Sequence, residues 1–153
     1  MNNTKSIKII SGGQTGVDRA ALDFALYLGI PCGGYCPKGR KAEDGTIPDF
    51  YPLTETLSNK YQTRTKRNIE ESDGTIILFT EHWDAGTRLT KKICNDVGKP
   101  LWIQDLKLPF SNNEFKFWLE KNRICILNFA GPRESFCPGI YSKSYQFIKN
   151  LFS

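Results

Sequence analysis

Residues 7–23 run Ile-Lys-Ile-Ile-Ser-Gly-Gly-Gln-Thr-Gly-Val-Asp-Arg-Ala-Ala-Leu-Asp, and this stretch decides the fold class. The apolar run over residues 7–10 predicts a short buried strand, and the glycines after it predict a tight turn. From Val17 to Leu28 apolar residues recur at helical spacing, and Gly29 predicts the end of that helix. A buried strand that leads through a glycine-rich turn into a helix is typical of a parallel α/β sheet.

The same alternation of strands and helices continues to the end of the chain. Strands are predicted over residues 30–35, 75–79, 101–103 and 124–129, and helices over residues 63–72, 87–97, 115–119 and 141–152. Residues 36–53, rich in Pro, Gly and charge, are predicted to form one long loop of a length that is usually functional or mobile. The sequence therefore predicts a single Rossmann-like α/β domain over residues 1–153, with a mostly parallel sheet and helices on both faces.

Composition excludes several classes of protein. With 39% hydrophobic and 24% charged residues, the chain is not disordered, collagen-like or a coiled coil. No stretch approaches the roughly 18 consecutive apolar residues of a membrane span, and residues 1–5 lead into no apolar segment of a signal peptide. Five cysteines, an odd number, do not form a disulfide framework. We therefore predict a cytoplasmic protein without a membrane partner.

The charge balance points to an anionic partner. Lys and Arg number 21 against 16 Asp and Glu, which gives a net charge of +5. The basic residues lie in small, dispersed groups without interleaved aromatic residues, a pattern that argues against nucleic acid as that partner. His82 is the only histidine and is predicted to be exposed, and Cys32 and Cys36 have no matching second pair, so no metal site is predicted.

Three polar, glycine-containing segments follow predicted strands, at residues 11–19, 83–90 and 130–135. In open parallel sheets, ligands bind beyond the carboxyl ends of the strands, near the amino termini of helices. Glycine permits a close approach of the backbone, and the free N–H groups of a helix start favour an anion. These segments together predict one anion-binding site, to which Lys38, Arg40 and Lys41 of the long loop add positive charge. The candidate residues in the segments are Gly12, Gly13, Gln14, Thr15, Gly16, Asp18, Arg19, Gly86, Thr87, Thr90, Arg133, Glu134 and Ser135.

Four segments of the chain resemble the family of "putative molybdenum carrier" proteins. They are residues 11–23, residues 36–48 (Cys-Pro-Lys-Gly-Arg-Lys-Ala-Glu-Asp-Gly-Thr-Ile-Pro), residues 64–75 (Arg-Thr-Lys-Arg-Asn-Ile-Glu-Glu-Ser-Asp-Gly-Thr) and residues 130–135 (Ala-Gly-Pro-Arg-Glu-Ser). The resemblance covers nearly the whole chain. It implies a Rossmann-like fold, a homo-oligomer (a dimer or a tetramer), and binding of the molybdenum cofactor, a pterin with a phosphate tail, without turnover. Molybdoenzymes or cofactor-synthesis proteins are the partners that it implies.

Wider relatives of this family include the lysine-decarboxylase-like phosphoribohydrolases, which release the base from nucleoside monophosphates. Five residues of this chain align with their pattern, namely Arg67, Ser72, Asp73, Gly86 and Thr87. Arg67 and its neighbour Asn68 are therefore added to the candidate site residues. The acidic residue of that pattern is replaced by Thr90, whose hydroxyl cannot position water or steady a positive charge as a carboxylate does. Asp18 or Glu43 could supply that carboxylate from another loop. We therefore expect a carrier of the molybdenum cofactor (molybdopterin), with a nucleotide-processing enzyme and a nucleotide-sensing or nucleic-acid-associated module as alternatives.

Overall fold

A five-stranded parallel sheet forms the centre of the molecule, of which the computed structural model describes residues 7–153. The strands are β1 (Lys8–Ile10), β2 (Cys32–Gly33), β3 (Tyr35–Cys36), β4 (Lys41–Ala42), β5 (Gly45–Thr46), β6 (Thr54–Glu55), β7 (Gly74–Phe79), β8 (Leu101–Asp105) and β9 (Ile126–Ala130). The helices are α1 (Val17–Leu28), α2 (Tyr61–Glu71), α3 (Ala85–Val97), α4 (Asn112–Lys121) and α5 (Ile140–Leu151). The central sheet has the order β2-β1-β9-β7-β8, which confirms the predicted α/β class.

Two sequence predictions concern a signal peptide and membrane-spanning segments. Residues 1–5, on which the predicted absence of a signal peptide rests, lie outside the described residues. Among residues 7–153, no helix is both long enough and apolar enough to cross a membrane.

Helices cover both faces of the sheet, but the two faces are packed differently. α1, α4 and α5 share one large apolar core with alternate strand residues such as Ile9, Leu78 and Phe129. On the other face α2 packs beside α3, over a layer that contains buried polar side chains. There Asn128 of β9 donates a hydrogen bond of 3.2 Å to the hydroxyl of Thr75 in β7. The apolar face supplies most of the core, and the polar face carries the groups that a ligand site needs.

The single strand predicted over residues 30–35 is wrong. The segment is divided into β2, which pairs with β1, and β3, which pairs with β6 in a separate two-stranded sheet. Gly34 lies between them with a φ of +125°, and a Cβ at this position would strike the backbone of Ser11. The chain leaves the central sheet at this residue because only glycine combines that backbone angle with so close a contact.

The long loop predicted over residues 36–53 contains short strands that were not predicted. β4 and β5 form an antiparallel hairpin inside it, and β3 pairs with β6 across it. Arg40 organises the segment, because its guanidinium donates to the backbone oxygens of Ile47 (3.0 Å), Pro48 (2.7 Å) and Tyr51 (3.0 Å). This mostly buried arginine also donates to a fourth carbonyl group, that of Leu53 over 3.4 Å, and so gives the segment a defined shape without a long helix or strand.

The predicted helices are confirmed, with small shifts of their ends. α1 ends at Gly29, which has a φ of +70°. α3 begins at residue 85, two residues earlier than predicted, because Asp84 caps it. Its carboxylate accepts the N–H group and the hydroxyl of Thr87 at 2.9 and 2.6 Å. His82 lies exposed just before this cap, as predicted.

Replacing Gly34 by alanine should destabilise the fold far more than the same replacement at Gly45. The φ values of these glycines are +125° and +116°, so both variants carry backbone strain of about 1–3 kcal/mol. Only at Gly34 does the new Cβ collide with backbone atoms, whereas at Gly45 no described heavy atom lies within 4 Å. We expect Gly34→Ala to lower the free energy of unfolding by at least about 2 kcal/mol more than Gly45→Ala does, as measured by urea denaturation. Equal losses in the two variants would contradict this account.

Candidate functional site

A cleft of about 650 Å³ opens at the carboxyl edge of the sheet, between α2 and α3. Its volume lies within the range of about 300–1,000 Å³ that is usual for small-molecule sites. The residues that line it are Gly12, Gln14, Asp18, Glu43, Tyr61, Gln62, Arg64, Thr65, Asn68, Asp84, Ala85, Gly86, Leu89, Thr90, Asn128, Phe129, Ala130, Gly131 and Arg133. Most of them lie at or just beyond the carboxyl ends of β1, β7 and β9, or on α1, α2 and α3, whereas Glu43 lies between β4 and β5. The sheet topology therefore determines where most of the cleft forms.

Seven residues predicted from the sequence line this cleft. They are Gly12, Gln14, Asp18, Asn68, Gly86, Thr90 and Arg133. They come from α2 and from all three predicted segments, at residues 11–19, 83–90 and 130–135. The structure therefore brings these segments together at one edge of the sheet, and what they bind stays a prediction.

Three more predicted residues stand next to the cleft, where Glu43 joins them. The hydroxyl of Thr15 donates to the Glu43 carboxylate, and Ser135 donates to it through its hydroxyl and its N–H group. Thr15 also accepts the N–H of Glu134 over 3.1 Å. The Glu134 carboxylate in turn accepts two backbone N–H groups at the start of α5. These contacts tie the segment after β9 to the segment after β1.

Gly13, Gly16 and Arg19 hold the first turn in place and do not line the cleft. Gly13 and Gly16 have φ values of +78° and +84°, and a Cβ at Gly16 would lie 2.5 Å from the carbonyl oxygen of Pro132. The Arg19 guanidinium forms an ion pair with Asp44 and donates to the Gly13 oxygen over 3.0 Å. Thr87, also outside the cleft lining, is the residue that the cap of α3 engages.

The predicted cations of the long loop and of α2 also lie outside the cleft lining. Lys38 is exposed, and Arg40 is engaged by the backbone oxygens of its own loop. Lys41 stands at the rim, where its Nζ lies 4.7 Å from the centre of the Tyr61 ring. Arg67 extends over the ring of a β3 residue, 4.5 Å from its centre.

Besides the predicted Asn68, α2 supplies cleft residues that were not predicted, namely Tyr61, Gln62, Arg64 and Thr65. Arg64 is buried and donates to the backbone oxygen of Gly12 over 2.6 Å, so it joins α2 to the first turn. One helical turn later, the Asn68 amide exchanges two hydrogen bonds with the backbone of Tyr35. The Tyr61 ring, with 36% of the residue exposed, lies 5.2 Å from the Arg64 guanidinium carbon. The available signal was the spacing of Arg64 and Asn68, which places both on one face of a helix with few apolar residues.

Acidic residues dominate the electrostatics of the cleft. The Asp84 carboxylate, besides capping α3, accepts from the backbone N–H and the guanidinium of Arg133 at 3.2 and 3.3 Å. Glu43 lies 3.2 Å from Nε of the same arginine. Burial opposes the ionisation of Glu43, but hydrogen bonds from Ser135 and Thr15 outweigh burial and lower its pKa. The cations that line the cleft are therefore already paired or hydrogen-bonded to the protein.

Asp18, in the first turn of α1, is a buried carboxylate that lines the cleft. Its Oδ2 accepts the N–H of Gln14 over 3.1 Å, so the glycine-rich turn directs this donor at Asp18. Burial raises the pKa of Asp18 to about 6; the positive charge of Arg64 acts in the opposite direction, and the negative charge of Asp84 adds to the rise. An anionic ligand at this turn would meet a carboxylate that has already taken one of the expected N–H donors.

Thr90 lines the cleft at the position where the phosphoribohydrolase pattern has an acidic residue. Its hydroxyl donates to the carbonyl oxygen of Gly86, one turn earlier in α3, over 3.0 Å. The carboxylates of the cleft come instead from Asp18, Glu43 and Asp84. Within residues 7–153, no three His, Cys, Asp or Glu side chains are grouped so that they could hold a metal ion.

Comparison with known proteins places the chain in a family. Residues 9–152 match the family model described as the circularly permutated YpsA SLOG family. The chain belongs to this family. Among solved structures, a "Putative molybdenum carrier protein" from Syntrophus aciditrophicus SB is 39% identical, covers 97% of each chain and superposes with a TM-score of 0.90. No curated protein matches the chain. The resemblance found in the sequence and the Rossmann-like fold are both confirmed.

In this SLOG protein, ionisation of Asp18 should lower the stability of the fold as the pH rises. The folded-state pKa of about 6 exceeds the ordinary value of 3.8, so the folded state binds the proton more tightly than the unfolded state. The stabilisation is present below pH 4 and is lost as the pH rises through 6. Each pKa unit corresponds to about 1.4 kcal/mol, so this group removes about 3 kcal/mol. Asp18→Asn should lack that loss, and urea denaturation at pH 4 and pH 7 measures it.

Asp44→Asn is a control of opposite sign. The hydrogen bond from Arg19 lowers the pKa of Asp44, so that carboxylate contributes stability above its ordinary pKa and loses it as the pH falls. The unfolding free energy of Asp18→Asn should gain on that of the natural protein from pH 4 to pH 7. The deficit of Asp44→Asn should stay nearly constant over this range and shrink only as the pH falls below the ordinary pKa of 3.8. If the difference in unfolding free energy between Asp18→Asn and the natural protein were the same at pH 4 and pH 7, ionisation of Asp18 would not destabilise the fold.

Proposed function

We propose that this protein binds the molybdenum cofactor, a phosphate-bearing pterin, in the cleft between α2 and α3 and carries it without chemical turnover. The similarity to a protein described as a molybdenum carrier supports the class of ligand. The observation that carries the proposal is the cleft itself, which combines a helix amino terminus, an aromatic ring and an arginine at the carboxyl edge of the sheet.

The amino terminus of α3 is the proposed seat of the phosphate. The first N–H groups of a helix have no acceptor within the helix. The Asp84 carboxylate accepts the N–H group of Thr87. The N–H groups of Ala85 and Gly86, two residues that line the cleft, are therefore left for a ligand. A Cβ at Gly86 would meet only the Asp84 carboxylate, at 3.8 Å, so the backbone here is open to a close approach. Arg133, 42% of whose side chain is exposed, can turn towards the same anion.

Tyr61 is the proposed contact for the flat pterin. Its ring lines the cleft, and the ammonium group of Lys41 and the guanidinium of Arg64 lie 4.7 and 5.2 Å from its centre. Aromatic rings bind flat heterocycles by offset stacking, which contributes about 0.5–1.5 kcal/mol beyond the buried area. Assembly into a homo-oligomer, a cytoplasmic location and delivery to a molybdoenzyme or a cofactor-synthesis protein belong to the same proposal.

Native mass spectrometry of the protein, purified gently from a cofactor-producing host, tests the proposal directly. The expected result is a bound mass that corresponds to molybdopterin or to its molybdenum-loaded form. A bound nucleotide, or a protein that binds neither form when the cofactor is added back, would contradict the carrier function.

Substitutions that block the phosphate seat should weaken binding while the fold is kept. We expect Gly86→Val to abolish measurable binding, because its side chain occupies the space beside the α3 amino terminus. Arg133→Ala removes a charge-assisted contact of about 1.5–3 kcal/mol, so the dissociation constant should rise by roughly one to two orders of magnitude. Fluorescence titration with released cofactor at one salt concentration measures both effects, and circular dichroism checks folding.

Lys92→Ala is the matched control for these variants. Lys92 lies on the exposed side of α3 and pairs with Asp96 over 2.8 Å, so its loss removes the same charge as Arg133→Ala without touching the cleft. If Lys92→Ala weakened binding as much as Arg133→Ala, the ligand would be held by a diffuse basic surface.

A second candidate function, hydrolysis of nucleoside monophosphates, is favoured by one observation. The cleft holds two carboxylates whose pKa values move apart: burial raises that of Asp18, and hydrogen bonds lower that of Glu43. Such pairs supply the acid and the base in many hydrolases. We nevertheless expect no appreciable release of free base from any nucleoside monophosphate, followed by chromatography. Robust release that Asp18→Asn abolishes would replace the carrier function with an enzymatic one.

A further inference from the structure

A second concave surface lies where α1 meets α5, on the face of the sheet that does not hold the cleft. It is an open groove of about 670 Å³. Tyr27, Phe50, Tyr141 and Tyr145 supply aromatic rings to it, and Asp23 supplies a carboxylate. We call it the aromatic groove. The proposed carrier function makes no use of it.

The rings of the aromatic groove are unusually open to solvent. Tyr27 is 80% exposed and Phe50 is 66% exposed. Tyr141 and Tyr145, one turn apart on α5, stack with their ring centres 6.3 Å apart. A large, contiguous apolar surface that is exposed on a folded domain usually marks a site of interaction.

Asp23 gives the aromatic groove a negative charge that the chain leaves uncompensated. The carboxylate accepts the hydroxyl of Tyr51 over 2.6 Å on one oxygen and the hydroxyl of Tyr141 on the other. Burial, together with these hydrogen bonds, raises the pKa of both tyrosines, so their hydroxyls stay protonated as donors. Arg19, one helical turn before Asp23, is paired with Asp44 instead. No residue within the described range 7–153 forms an ion pair with Asp23.

We propose that the aromatic groove docks a protein partner through an arginine side chain. A guanidinium is flat, so it stacks on the tyrosine rings, and it donates two parallel hydrogen bonds to one carboxylate. Each oxygen of Asp23 has one tyrosine donor and keeps a further lone pair for such a bond. The groove thus offers both of the contacts that distinguish a guanidinium from other cations.

The shape of the groove favours a protein over a small molecule as the source of that arginine. Small-molecule sites enclose most of their ligand, whereas this groove is shallow and open. Leu26, which also lines the groove, is 41% exposed, so the apolar surface extends beyond what one side chain covers. Arginine and aromatic residues are enriched at the centres of protein interfaces.

Docking at this groove is independent of the ligand in the cleft. The groove belongs to the face covered by α1 and α5, whereas the cleft lies between α2 and α3 on the other face. A partner seated on the groove therefore leaves the cleft uncovered. This inference stands or fails separately from the proposed carrier function.

Nuclear magnetic resonance titration of the ¹⁵N-labelled protein with the peptide acetyl-Gly-Arg-Gly-amide tests the proposal. The control peptide carries citrulline, which has the shape of arginine without its charge. We expect saturable amide shifts confined to α1, α5 and the neighbourhood of Phe50, with at least tenfold weaker binding of the citrulline peptide. Asp23→Asn should weaken the binding of the arginine peptide about five- to tenfold.

Two variants separate binding from folding. Tyr27→Ser changes a residue that is 80% exposed, so the fold is kept. This variant should weaken the binding of the arginine peptide at least fivefold. Asp96→Asn, on α3 at the other face, removes the same charge as Asp23→Asn and should change nothing. Equal binding of the two peptides, or shifts that map elsewhere, would overturn the proposal. A homodimer that Tyr27→Ser dissociates in sedimentation would also overturn it, because a second copy would then occupy the groove.

Discussion

The Glu43 carboxylate is the contact on which the carboxyl edge of this protein depends. It receives the hydroxyl of Thr15, the hydroxyl and N–H of Ser135, and the guanidinium of Arg133, so one side chain joins segments that are 28 and 92 residues away in sequence. A carboxylate can accept about four hydrogen bonds, and here the capacity is used almost fully by the protein. Without this carboxylate, the loop after β3 would lose its bonds to the segment after β9 and would be held to the turn after β1 mainly by the Arg19–Asp44 ion pair.

Most of the fold could be predicted from the sequence because its signals are local. The apolar spacing of α1, the unbroken apolar run of β7 and the glycines at helix ends each act within a few residues. The division of residues 30–35 into two strands could not be predicted, because it depends on the contact between Gly34 and the distant Ser11. The hairpin inside the long loop was hidden for a similar reason: its shape comes from Arg40, whose hydrogen bonds reach up to 13 residues away.

The site was predictable to the extent that it follows from topology. Parallel strands bring their carboxyl ends to one edge, so segments 11–19 and 130–135 had to meet there. The charge of the site could not be read in the same way. The net charge of +5 suggested a cationic cradle, yet three carboxylates line the cleft and Arg40 faces its own loop. Net charge describes the surface as a whole, whereas the potential in a cleft depends on which few side chains the tertiary structure buries.

The uneven packing of the two faces has a consequence for motion. α2, one wall of the cleft, buries only Arg64, Asn68 and Ile69, whereas α1 buries seven residues. Local opening costs least where few apolar side chains leave the interior, so we expect amide protons of α2 to exchange with solvent sooner than those of α1. α3, on the same face, likewise buries only Thr87, Thr90 and Cys94. Both helices that border the cleft are therefore held to the sheet by few apolar side chains.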